Sequence, residues 1–100
     1  MKSYDGDFPI SVHPGEILRE ILEESGKSQA ELARHLKTDP SKVNEICKGR
    51  RGISAEMAVM LSKVFGISAS TWLTLQKNWE LSQVDHSLFE NVTPMRSPPR

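Results

Sequence analysis

The sequence predicts an all-α domain of five short helices, with a helix-turn-helix formed by the second and third. Three observations predict it. Apolar residues recur at helical spacing, as in Ile17, Leu18, Ile21 and Leu22, and again in Val43, Ile46 and Cys47. Each such stretch is bracketed by residues that start and stop helices. No segment is rich in β-forming residues, and no internal repeat is present.

Helix 1 is expected from Pro14 to Ser25. His13 can cap it, Pro14 suits the first helical position, and Gly26 ends it. Helix 2 is expected from Gln29 to Leu36, burying Leu32, Ala33 and Leu36. Ser28 and Glu31 form an S-x-x-E capping box, which satisfies two free N–H groups reciprocally. Helix 3 is expected from Pro40 to Lys48. Asp39 can accept from its free N–H groups, Pro40 has no N–H to lose, and Gly49 can turn left-handed after it. Helix 4 runs from Ala55 to Phe65, capped by Ser54 and stopped by Gly66, with Met57, Ala58, Leu61, Val64 and Phe65 as its core face. Helix 5 runs from Ala69 to Leu81 behind Ser68, and carries Trp72, Leu73, Leu75 and Trp79. Residues 1–12, broken by Gly6 and Pro9, read as an arm. Residues 83–100, with Pro94, Pro98 and Pro99, read as a loose tail. The folded domain is therefore expected over 13–82.

A chain of 100 residues, 37% hydrophobic, suits one domain with a modest core that dimerisation could reinforce. No apolar run is long enough to span a membrane, and the start MKSYDGDFPISV has no apolar signal-peptide region. A single cysteine excludes an intrachain disulfide framework and a multi-cysteine zinc site. A cytoplasmic location fits these features. The formal net charge is zero, which argues against a strongly basic nucleic-acid binder. The charge is uneven, however. Lys42, Lys48, Arg50 and Arg51 face only Glu45 between positions 42 and 51, whereas acids dominate from Asp5 to Glu24. A local basic face is what a phosphate meets.

Ser28 to Gly49 holds two capped helices joined by a tight turn, and the second is the right size to enter a DNA major groove. With Val43, Ile46 and Cys47 turned inward, helix 3 presents Ser41, Lys42, Asn44, Glu45 and Lys48 outward. Ser41 can donate to or accept from base edges, Asn44 can pair with adenine, and Glu45 can accept from cytosine or repel phosphate. Lys42 and Lys48 suit phosphates, or guanine. Arg50 and Arg51 follow the helix and suit phosphates. Gln29 opens helix 2, where its amide and the free N–H groups can grip a phosphate. Gln29, Asp39, Ser41, Lys42, Asn44, Glu45, Lys48, Arg50 and Arg51 are thus the expected DNA-binding set.

Nothing points to catalysis or a cofactor. There is no G-x-S-x-G elbow and no glycine-rich phosphate loop. His13, His35 and His86 lack metal-ligand spacing, and Cys47 lies on a core face. His35 is expected at the surface. Trp72 and Trp79, seven apart on helix 5, either seal the core or join a subunit contact. Trp72, Leu75 and Trp79 are taken as the candidate homodimer contact, which would set two recognition helices about 34 Å apart.

HPGEILREIL (13–22), SQAELARHL (28–36), VNEICKGRRGISAEMAVMLSKVFG (43–66) and WLTLQKNWEL (72–81) together resemble the HigA antitoxins, within the Xre-type, lambda-repressor-like helix-turn-helix class. The resemblance covers residues 10–82. It implies a five-helix domain that dimerises on a palindromic operator in double-stranded DNA and represses its own operon. It also implies a partner, a HigB-type toxin that cleaves mRNA and is held inactive. By position, Gln29 matches the class's phosphate-contacting glutamine. Ser41, Lys42 and Glu45 fall where the class contacts bases or phosphates, and Arg50 and Arg51 match its basic loop. Lys37 departs from the pattern, since the turn often has glycine there. If that residue is left-handed, lysine costs about 1–2 kcal/mol. A stand-alone repressor without a toxin, or an interaction module with a vestigial helix-turn-helix, are the competing readings.

Overall fold

A computed structural model describes residues 11–95. Within them the chain forms α1 (Pro14–Ser25), α2 (Gln29–Leu36), α3 (Pro40–Cys47), α4 (Ala55–Phe65), α5 (Ala69–Ser82) and one 3-10 turn, His86–Phe89. The architecture is the all-α one expected. Ten residues of the arm, 1–10, and the end of the tail, 96–100, lie outside the described residues.

Each helix begins where a side chain can take up a free N–H. The His13 ring accepts from the Gly15 N–H through Nδ1 at 2.9 Å. The Ser28 hydroxyl accepts from Glu31 N–H at 3.0 Å while the Glu31 carboxylate accepts from Ser28 N–H at 3.0 Å, completing the capping box. Those bonds, the backbone one first, hold Glu31 below the usual carboxylate range. Asp39, Ser54 and Ser68 cap the remaining three helices. Helix ends are equally local. The Lys27 N–H reaches Leu22 O, Thr38 N–H reaches Ala33 O, and Arg50 N–H reaches Glu45 O, each across a left-handed residue. Two of those residues are Gly26 and Gly49; the third is Lys37, at φ 56°, so the turn does require the left-handed form at the position where lysine departs from the usual glycine.

The core joins Ile17, Leu18 and Leu22 of α1 to Leu32 and Ala33, Val43, Ile46 and Cys47, Met57, Ala58 and Leu61, and Trp72 and Leu75. α2 packs on α3, α1 lies against α3 and α5, and α4 pairs with α5. The approach of α1 to α3 is close because residue 15 is glycine. A Cβ there would fall 1.8 Å from the Ile46 carbonyl oxygen. Burial raises the Cys47 thiol above its usual pKa, as suits a small apolar filler.

Three expectations need correction. Val64 is 36% exposed, on the side of the last turn of α4 away from the core that Leu61 and Phe65 pack against. There Val64 and Phe65 line an open hollow with Leu22 and Leu32. Trp72 and Leu75, expected at a subunit contact, are 0% and 4% exposed. They are spent on the chain's own core and offer a second copy no surface. The tail is not wholly irregular: Asp85 accepts from the Ser87 N–H at 3.0 Å and starts the 3-10 turn.

Candidate nucleic-acid interface

The three inward residues of α3, Val43, Ile46 and Cys47, are all nearly inaccessible. A helix anchored on that side must show the other. Ser41, Lys48, Arg50 and Arg51 are exposed, and Lys42, Asn44 and Glu45 are half-buried at the edges of the stripe. Gln29, half-buried at the start of α2, stands beside it.

Two side-chain contacts organise this surface. Asn44 donates from Nδ2 to Gln29 Oε1 at 2.9 Å, which bridges the two helices of the motif. The bond turns the Gln29 amide so that its N–H₂ faces away from Asn44. It leaves Asn44 one N–H and its own carbonyl oxygen. Arg51 donates from Nε to Glu45 Oε1 at 3.0 Å, and its Nη2 lies 2.9 Å from the same oxygen. Neither contact was foreseen. Each depends on how one rotamer meets another across a turn, which residue spacing does not encode.

Asp39 sits at the start of α3, where its carboxylate accepts from the Ser41 N–H at 3.0 Å. That backbone bond, then the Ser41 side chain and the nearby charges of Lys42 and Arg51, keep the carboxyl below its usual range. Asp39 therefore acts first as a cap that fixes Ser41 at the mouth of the helix.

The loop carrying Arg50 and Arg51 is pinned from behind. Gln76, 4% exposed on α5, accepts from the Ile53 N–H through Oε1 at 2.9 Å. Its Nε2 donates to Glu80 at 2.8 Å, a bond that with the Lys77 contact lowers the Glu80 carboxyl pKa. Gly52 lets this happen, since a Cβ at 52 would sit 2.9 Å from Gln76 Nε2. Gln76 was not singled out from the sequence. The signal was there: Trp72, Leu75, Gln76 and Trp79 occupy one helical stripe, and a glutamine in such a stripe needs a buried partner.

The other end of this frame is His13. Its ring meets Trp79 edge-on at 4.7 Å and 81°, so α5 also braces the start of α1. His35 is exposed, as expected, and lines the hollow beside Val64. Among the described residues no group of His, Cys, Asp or Glu could hold a metal ion, and no helix is long and apolar enough to cross a membrane.

Comparison with known proteins places the fold in a family. The helix-turn-helix family matches residues 18–72. Virulence-associated protein I of Dichelobacter nodosus is 42% identical over 76 residues, which cover 75% of this chain and 70% of that protein. The structure of Pseudomonas aeruginosa antitoxin HigA with the higBA promoter is similar at a TM-score of 0.77 and 39% identity, covering 87% of this chain and all of that one. Antitoxin GraA in complex with its operator is similar at a TM-score of 0.76 and 35% identity, over 92% of this chain and 98% of that one. The chain belongs to the Xre-type helix-turn-helix family, DNA-binding regulators rather than enzymes, and stands there beside the HigA antitoxins.

Proposed function

We propose that this protein is a cytoplasmic, sequence-specific DNA-binding antitoxin that represses its own operon and neutralises a HigB-type mRNA endonuclease. The observation that carries the reading is the open stripe from Ser41 to Arg51, buttressed at Gln29 and Ile53 and fixed on a rigid core. In this reading Ser41 and Asn44 face base edges, Gln29, Lys42, Lys48 and Arg50 meet the backbone, and the paired Glu45 and Arg51 complete the DNA-facing stripe. Asp39 shapes the entrance. The likeness to antitoxin structures solved with a promoter or operator supports it.

Two copies on a palindrome would multiply the modest charge of one. With Trp72 and Leu75 buried, the contact between copies falls to Trp79 and to exposed apolar groups after it, among them Leu81, Val84, Leu88 and Phe89. Light scattering on Leu88→Asp and Phe89→Asp should then show a monomer where the parent is a dimer.

A gel shift on the upstream region of its own reading frame, at two salt concentrations, tests the DNA-binding part. Specific binding that weakens at higher salt supports it. No shift at low salt would leave an interaction module with a vestigial helix-turn-helix. A pull-down from the native host tests the partner. Recovery of a small RNA-cleaving protein supports the antitoxin reading, and its absence leaves a stand-alone repressor.

A further inference from the structure

We propose that Glu45 and Arg51 act as one base-reading unit, the carboxylate holding the guanidinium side-on so that its free edge reads a guanine in the major groove. The inference rests on the DNA-binding reading above and names the specificity element within that surface.

The contact uses the guanidinium in a particular way. Nε donates to Glu45 Oε1 at 3.0 Å, and Nη2 lies 2.9 Å from the same oxygen as an ion pair. A guanidinium has five N–H donors in a rigid plane. The Nε–H is spent on Glu45, and Nη1 with the outer N–H of Nη2 forms the adjacent edge of the plane. A pair of parallel donors there matches the O6 and N7 acceptors of guanine. Arginine free in solution must give up rotamer freedom to reach that pose, whereas Arg51 already holds it. Both side chains remain reachable, at 48% and 43% exposure.

The backbone explains why the two residues meet. Gly49 turns left-handed at φ 76°, and Arg50 N–H closes onto the Glu45 carbonyl at 2.9 Å. The chain therefore doubles back, and Arg51 returns over the helix it has just left. The bond to Glu45 holds the guanidinium against the outer side of α3. Gln76 fixes the Ile53 N–H two residues beyond, which steadies the base of this arm.

Charge points the same way. A guanidinium paired with a carboxylate is a poor phosphate anchor, because phosphate affinity comes from net positive charge and released counterions. Lys42, Lys48 and Arg50 are better placed for that role. Glu45 then neither reads cytosine nor merely repels the backbone; it aims Arg51.

The test begins by selecting duplexes from a randomised library with the parent protein. Anisotropy titrations follow on the preferred duplex and its single base-pair variants, with Glu45→Gln, Arg51→Lys and the double variant. Lysine keeps the charge and loses the fork. Each single variant should lose between about fivefold and a hundredfold of preference, at the same G·C pair. The double variant should lose no more than the worse single one, and the salt slope of Arg51→Lys should match the parent's. Loss at two different base pairs would make the residues separate readers and overturn the proposal. So would Glu45→Gln tightening all duplexes equally. Unchanged preference in both variants, with Arg51→Ala only flattening the salt slope, would return Arg51 to a phosphate. If the parent selects no duplex, the DNA-binding reading fails and takes this one with it. If the parent is selective and the variants behave otherwise than expected, this assignment alone fails. Both side chains are exposed, and unchanged circular dichroism confirms that the variants fold.

Discussion

The side-chain amide of Asn44 donates to Gln29 Oε1 at 2.9 Å, so the middle of α3 grips the first residue of α2 across the turn between them. The bond makes Asn44 a positioning residue for Gln29 as well as a candidate reader of bases. Gln29 opens α2, a helix end where a phosphate is favoured by the helix dipole, and the bond leaves its N–H₂ unengaged by Asn44.

The coupling can be measured. Gln29→Ala should weaken all duplexes alike, by about 0.5–1.5 kcal/mol for a neutral hydrogen bond. Asn44→Ala should include that same loss, because Gln29 becomes free to turn. A double-mutant cycle in DNA affinity should therefore be clearly non-additive. Strict additivity would mean that the contact does not persist on DNA.

His13 makes stability depend on pH. Its Nδ1 must be unprotonated to accept the Gly15 N–H, and burial lowers its pKa, opposed by the charge of Glu16. The ordinary imidazole value, about 6.5, describes the unfolded chain. Above that pH both states are neutral and the contribution is complete. As pH falls below it the unfolded chain takes up the proton first, so stability declines until the lower folded pKa is passed. His13→Asn keeps a capping acceptor and removes the titration. The Tm of the parent should fall more than that of the variant between about pH 7.5 and 5.5, above the range where the depressed carboxyls of Glu31, Asp39 and Glu80 protonate. Equal falls would exclude His13 as the source.

What could be read in advance divides by range. Caps are local, and Ser28 with Glu31, Asp39 with Pro40, and Ser54 and Ser68 placed the helix starts correctly. The outward stripe followed from one buried face of α3. Long-range packing was not legible. Trp72 looks the same in a sequence whether it fills a core or a subunit contact, and only the crossing of α5 over α1 and α4 decides. The pairing of Glu45 with Arg51 depends on a chain reversal at Gly49, and the role of Gln76 on a loop 23 residues away.

Gln76 is the clearest case where a buried polar group shapes the surface. Gln76→Met keeps the volume and removes the acceptor, leaving the Ile53 N–H buried without a partner, at a cost of about 1–3 kcal/mol. For a domain of this size Tm should fall by roughly 4–8 °C per kcal/mol. DNA affinity should fall as well, since the 50–53 segment loses its anchor, although Gln76 touches no DNA. A destabilised variant with full affinity at low temperature would separate the loop's position from this bond.

Lys37 offers a change in the opposite direction. It holds φ 56° and ψ 42° after α2, the position where the helix-ending motif prefers glycine. A left-handed lysine costs about 1–2 kcal/mol. Glycine removes that cost and adds about 0.5–1 kcal/mol of chain entropy to the unfolded state. Lys37→Gly should therefore stabilise by about 0.5–1 kcal/mol and raise Tm by a few degrees. The bonds that close the turn, Lys37 N–H to Arg34 O and Thr38 N–H to Ala33 O, are backbone bonds and survive the change. The angle between α2 and α3, and with it base preference, should stay as it was. Lys37→Val, β-branched in the same conformation, should lower Tm instead. A rise with valine, or a fall with glycine, would show that the turn does not adopt the left-handed form.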